Sequence, residues 1–109
     1  AHGSNVTIKL DYSKIPVIDG CVENAKMGLV PSGTYKNRDY ICGKYIIDEK
    51  LDNVVEDIIF DPQTSGGLLV SLPKYEAQKL MKYYAEHLKS EFAIVGEVIE
   101  KEEYSLVIE

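Results

Sequence analysis

The chain has 109 residues, of which 45% are hydrophobic, and carries a formal net charge of −6. That length and apolar content suit one domain, residues 1–109, with its own core, and the negative balance argues against nucleic acid or an anionic membrane as partner. Cys21 and Cys42 are the two cysteines, with no C-x-x-C spacing, which argues against a zinc site or disulfide scaffold and fits a reducing, cytoplasmic compartment; no apolar run reaches transmembrane length and no signal-peptide pattern is present.

Val6, Ile8, Leu10 and Tyr12 alternate with Thr7, Lys9, Asp11 and Ser13, the pattern of a half-buried strand with one wet face, ended by Pro16. Asp19 is placed to cap a short helix whose apolar positions are Ile18, Val22, Ala25 and Leu29, with Gly28 as its stop. Pro31 to Gly43 gathers Pro, Ser, two Gly, Thr, Asn and Asp, and reads as a loop. It is either a ligand contact or a solvated connection in which Thr34 and Asn37 bond their own backbone.

Leu51, Val54, Val55, Ile58 and Ile59 recur at helical spacing, with Asp52, Asn53, Glu56 and Asp57 on the opposite, solvated face. A strand over Ile58–Phe60 competes with that reading. Then comes Asp61-Pro62-Gln63-Thr64-Ser65-Gly66-Gly67, where Pro62 stops the preceding element. The small polar residues after it leave a backbone that can approach another group closely. The apolar run Leu68 to Leu72 follows, of strand length, ended by Pro73. A Thr-Ser-Gly-Gly turn feeding a strand offers N–H groups and hydroxyls to an anion, although no Gly-Lys-Ser/Thr makes it a P-loop. A plain tight turn fits the same residues. Pro73 suits the first position of a helix, with Ala77, Leu80, Met81, Tyr84 and Leu88 as its buried stripe and His87 near its C-terminus. Ala93 to Ile99 and Tyr104 to Ile108, separated by Lys101-Glu102-Glu103, read as an antiparallel hairpin. The fold class is α+β: about four strands in one mixed or antiparallel sheet, with two or three helices packed on one face.

Two blocks carry a family resemblance. Asp61-Pro62-Gln63-Thr64-Ser65-Gly66-Gly67-Leu68-Leu69 resembles the signature near the C-terminus of selenophosphate synthetase (selenide, water dikinase). Ile15-Pro16, a helical stretch, and then Val30-Pro31-Ser32-Gly33-Thr34-Tyr35-Lys36-Asn37 resemble a second block, in the same order. Ser32 stands where the family usually has glycine. Enzymes of the aminoimidazole-ribotide-synthetase superfamily share the fold but not the longer string.

The resemblance implies the C-terminal lobe of an enzyme that converts ATP, selenide and water to selenophosphate, AMP and phosphate. It implies ATP and magnesium in the parent, held mainly by an N-terminal ATP-binding domain, and a homodimer. For this chain alone it implies no cofactor, no metal ligand and no catalytic residue. Its role would be to complete the cleft and support the dimer, with Asp61, Gln63, Thr64, Ser65, Gly66 and Gly67 joining Gly33, Thr34 and Asn37 in one phosphate-facing patch. The first strand would lie at a sheet edge. Ile41-Cys42-Gly43-Lys44 echoes the family's catalytic cysteine or selenocysteine loop, but that loop belongs to the N-terminal half, and we read the match as coincidence. The competing reading is a standalone binding or interaction domain that kept the fold without the chemistry.

Overall fold

Strand β1 (Val6–Leu10) is the axis of the computed structural model, which describes residues 1–109. It has β3 (Gly96–Glu100) on one side, antiparallel, and β4 (Leu106–Ile108) on the other, parallel. β2 (Tyr45–Ile47), an element the sequence pattern did not single out, continues the sheet parallel to β4. The order β2-β4-β1-β3 makes a four-stranded mixed sheet, as the α+β reading expects. Four α-helices accompany it: α1 (Cys21–Lys26), α2 (Ser32–Tyr40), α3 (Val54–Ile59) and α4 (Lys74–His87).

The first strand is therefore central, not an edge; β2 and β3 are the edges. The expected hairpin is also replaced, because the last two strands lie on either side of β1 rather than beside each other. Thr7 supplies the physical reason. Its hydroxyl donates to the Tyr104 carbonyl at 2.6 Å and accepts from the Glu102 N–H at 2.9 Å. The connection between β3 and β4 is thereby held across β1, and Thr7, expected on a wet face, is completely buried beneath it. Gly96 is required where β3 meets β1, since a Cβ there would collide with the Lys9 carbonyl.

The register puts Ile8, Leu10, Val98, Leu106, Ile108 and Tyr45 on one face of the sheet. Ile108 is completely buried, as are, nearly so, Val55 and Ile58 of α3 and Phe60 just beyond it. The Tyr45 ring meets Phe60 edge-on at 4.8 Å, joining the sheet to the end of α3. α1 packs beside α3, and Lys26 reaches Asp52 at 3.1 Å. The stop of α1 is as expected: Gly28 is left-handed at φ 76. Its N–H donates to Ala25 and the Leu29 N–H donates to Asn24, the Schellman arrangement. At the other end Gly20, not Asp19, occupies the cap position, and it does so at φ 80, a conformation that costs an L side chain.

Three further expectations are corrected. Ser32–Tyr40 is helical rather than a loop. Pro31 supplies an extended entry, and tertiary contacts at Gly33, Thr34 and Asn37, described below, outweigh weak helix propensity. No strand forms over Ile58–Phe60; Phe60 is the C-cap of α3. Leu68 to Leu72 is not a strand either, because no neighbour in the sheet takes it up. Helix α4 starts one residue after Pro73, and its apolar stripe of Ala77, Leu80, Met81 and Tyr84 is only half-buried, with Leu88 exposed.

Six residues in all are buried, and the accessible surface is 8315 Å². A self-contained protein of 12.2 kDa exposes about 6,100 Å². The radius of gyration, 14.8 Å, likewise exceeds the roughly 13 Å expected for this length. The fold has its strand order and a small core, but leaves much apolar surface uncovered.

Replacing Thr7 with valine keeps the shape and deletes the hydrogen bonds to the Tyr104 carbonyl and from the Glu102 N–H. The expected loss is about 2–3 kcal/mol of unfolding free energy, read by urea denaturation. An unchanged midpoint would show that the crossing connection does not need this staple.

Candidate functional site

The two sequence blocks meet in space. Gly33, in the first turn of α2, lies so close to Pro62 that a Cβ there would sit 2.8 Å from the proline Cγ. Only glycine lets the helix approach the Asp61-Pro62 turn this closely without displacement. One turn further along α2, the Asn37 side-chain amide donates to the Phe60 carbonyl at 2.9 Å. That carbonyl lies at the end of α3, where backbone acceptors run out of helical partners. Asn37 thus caps α3 from a neighbouring helix, and the pair of contacts clasps α2 to the Phe60–Pro62 corner.

Thr34 lies between these two contacts and is completely buried, with its hydroxyl unpaired by any protein group. Asp61 is half-buried, and its carbonyl accepts from the Gln63 N–H at 2.9 Å. It borders a cleft of about 310 Å³ with Asp19, Cys21, Val30 and Pro31. Gln63, Thr64, Ser65, Gly66 and Gly67 are exposed. The Gln63 side-chain carbonyl lies against Gly66, and Ser65 is left-handed at φ 57. A left-handed serine keeps the turn sharp at some cost in backbone energy. The hydroxyls of Thr64 and Ser65 make no hydrogen bond to the chain, so both stay open to an outside group. Of the nine expected residues, then, Gly33 and Thr34 form the base, Asn37 reaches the Phe60 carbonyl from an exposed position, Asp61 is the corner, and residues 63–67 are the exposed rim.

A charge cluster that the sequence pattern did not reveal braces this base. Arg38, the single arginine of the chain, reaches Glu56 at 2.6 Å and Asp57 at 3.2 Å. The same Glu56 accepts from the Tyr45 hydroxyl at 2.5 Å. The acidic side of α3 is therefore partly a clamp on α2, not simply a solvated face. The available signal was one arginine among lysines, since its planar fork suits two carboxylates at once. No group of three or more His, Cys, Asp or Glu side chains is placed to hold a metal ion. Cys42 is exposed and Cys21 half-buried, and both are free thiols. His87 ends α4, stacked on Tyr83 at 4.1 Å. No helix is long and apolar enough to cross a membrane.

The Tyr45 phenol is pushed up to about 12, first by burial and then by the hydrogen bond to Glu56 and that carboxylate's charge. A raised folded value means the fold favours the neutral phenol. Its contribution to stability is complete below the ordinary value of 10 and is lost as pH rises through about 12. Tyr45→Phe should therefore cost stability below pH 10, and the gap from wild type should shrink between pH 10 and 12. A gap that stays constant over that range would show that the phenol keeps its unfolded titration.

Asn37→Ala leaves the Phe60 carbonyl without its donor. We expect a loss of about 1–2 kcal/mol in chemical denaturation, with α2 fraying against α3 in amide exchange. Stability within error of wild type would remove the clasp from the account.

No protein-family model matches the chain. Curated proteins do. Over 108 residues, 99% of this chain, it is 45% identical to a selenide, water dikinase of Caldanaerobacter subterraneus subsp. tengcongensis, covering 31% of that protein. It is 39% identical to the selenide, water dikinase of Clostridium botulinum strain Eklund 17B and 36% identical to that of Clostridioides difficile strain 630, with the same coverage. The chain spans about a third of the length of the curated relatives it matches.

Proposed function

We propose, on the footing that this chain is homologous to a domain-sized portion of selenide, water dikinase, that it is the C-terminal lobe of such an enzyme and closes the nucleotide cleft of the parent. In that reading the parent consumes ATP with magnesium, selenide and water, forms selenophosphate, AMP and phosphate, and works as a cytoplasmic homodimer. This lobe supplies neither nucleophile nor metal ligand. It presents uncharged donors to phosphate oxygens at the edge of a site whose charge is neutralised by groups on the ATP-binding portion.

The observation that carries the reading is the clasp. Two blocks separated in sequence, each resembling the family's pattern, are held against one another by Gly33 on Pro62 and Asn37 on the Phe60 carbonyl. The clasp fixes the root of the Gln63–Gly67 rim while leaving the Thr64 and Ser65 hydroxyls free. A phosphate needs such an arrangement: donors with no internal partner to give up, on a backbone that does not have to reorganise.

Because these hydroxyls are unpaired, removing them has no folding cost. Thr64→Ala or Ser65→Ala in the full-length parent should lower turnover about 100-fold where the hydroxyl touches a reacting phosphate oxygen, with the melting temperature unchanged. Turnover close to wild type in both variants would reduce the rim to a structural turn. The 109-residue chain alone should form no AMP from ATP and selenide above a blank, since phosphoryl transfer depends on positioned cations and metal. Selenide-dependent AMP formation by the isolated chain would overturn the assignment of the chemistry to the rest of the parent.

A further inference from the structure

Asp19-Gly20 is the one place in the chain where glycine follows an aspartate, and no Asn-Gly occurs. It forms the turn that delivers the chain into α1. The Cys21 N–H closes that turn on the Ile18 carbonyl at 3.0 Å. Gly20 stands at φ 80 and ψ −7, the dihedrals of the third position of a type II turn. Both residues are exposed. Asp11, Asp48 and Asp52 each accept from a main-chain N–H two residues on, and Asp57 is paired with Arg38, whereas the Asp19 carboxylate has no partner. The Gly20 N–H makes no main-chain hydrogen bond either. The space that a Cβ on Gly20 would occupy is empty to 4 Å.

An aspartate with a free carboxyl, followed by a free N–H on a residue with no side chain, has what ring closure through its own backbone requires. We propose that Asp19 is a site of spontaneous covalent modification, isomerising to isoaspartate through a succinimide. The Gly20 nitrogen attacks the Asp19 Cγ, and a C–N bond forms. The nitrogen's proton and the carboxyl's hydroxyl leave together as one water, which closes a five-membered imide. Water then adds back to one of the two imide carbonyls. Addition at Cγ restores aspartate. Addition at the main-chain carbon leaves the chain running through Cβ and Cγ, with the former main-chain carbon as a free carboxylate. Nothing is oxidised or reduced, and water is the only co-reactant.

The other aspartates are less suited. Tyr12, Tyr40, Glu49, Asn53 and Ile58 set a side chain beside the attacking nitrogen, and Pro62 has no N–H to attack with. Conversion at Asp19 inserts one main-chain atom directly ahead of α1. It separates the Ile18 carbonyl from the Cys21 N–H, the bond that closes the turn. It also moves Asp19 and Cys21, which border the cleft shared with Asp61. The reaction depends on this turn alone and is independent of the chemistry assigned to the parent enzyme.

The test is peptide mapping of the 109-residue chain after prolonged incubation at neutral pH and growth temperature, in native buffer and, in parallel, in denaturant. A lysine-specific protease releases residues 15–26. The expected result is a second form of that peptide, equal in mass, separable by chromatography, and resistant to a protease that cuts before aspartate. It should accumulate in the native chain at a rate comparable with the denatured one. Gly20→Asn keeps a residue that tolerates the left-handed conformation but adds a side chain at the nitrogen. It should slow conversion at Asp19 several-fold with the circular dichroism unchanged. In the separated isoaspartyl chain, amides of 21–26 should exchange faster than in the parent chain, and unchanged protection there would overturn the consequence drawn for α1. A native chain that does not convert overturns the proposal, whether or not the denatured chain does. So does equal conversion at the other aspartates, and so does an unaltered rate in Gly20→Asn.

Discussion

A single side-chain amide, that of Asn37, reaches the Phe60 carbonyl and joins helix α2 to the end of α3, the corner from which the candidate site departs. It acts across the gap between two helices and meets an acceptor that helix α3 cannot satisfy itself. Gly33 allows the accompanying contact with Pro62 because it has no Cβ to keep the backbones apart. Those two contacts hold the corner at Asp61 against α2, and the small polar residues after it leave from there.

The Arg38 cluster explains how an acidic chain tolerates carboxylates near this corner. Glu56 and Asp57 are each within ion-pair distance of the one guanidinium, and Glu56 also accepts the Tyr45 hydroxyl. The side chains concerned are between a fifth and a third exposed, so screening keeps each pair modest in energy. Their value is geometric: α2, α3 and β2 are tied at one carboxylate.

The sheet is organised differently, around a buried hydroxyl. Thr7 both donates and accepts, and so spends its full capacity on a connection that must cross β1. The crossing separates the last two strands and makes β1 central, which leaves β3 as an open edge. The incomplete burial of α4 and the exposure of Leu68 to Leu72 belong to the same picture: the chain has more apolar surface than its own core can use. The chain spans about a third of the length of the curated relatives it matches.

By itself the sequence determined the α+β class, the first strand, the Gly28 stop, the amphipathic stretches of α3 and α4, and the resemblance of the two blocks. These depend on short-range rules: alternation, helical spacing, a glycine at positive φ, and strings of residues in order. It misjudged Ser32–Tyr40 because Gly, Thr and Asn are poor helix formers locally, and only contacts with Pro62 and Phe60 repay that cost. It misjudged Leu68–Leu72 because strand propensity says nothing of whether a sheet edge is there to receive it. The hairpin failed for a similar reason, since a short charged turn between two apolar runs does not reveal that Thr7 lies beneath it. Strand order, the Arg38 clamp and the meeting of the two blocks were decided by tertiary structure, because each depends on groups far apart in the chain whose pairing carries no signal until the chain has folded.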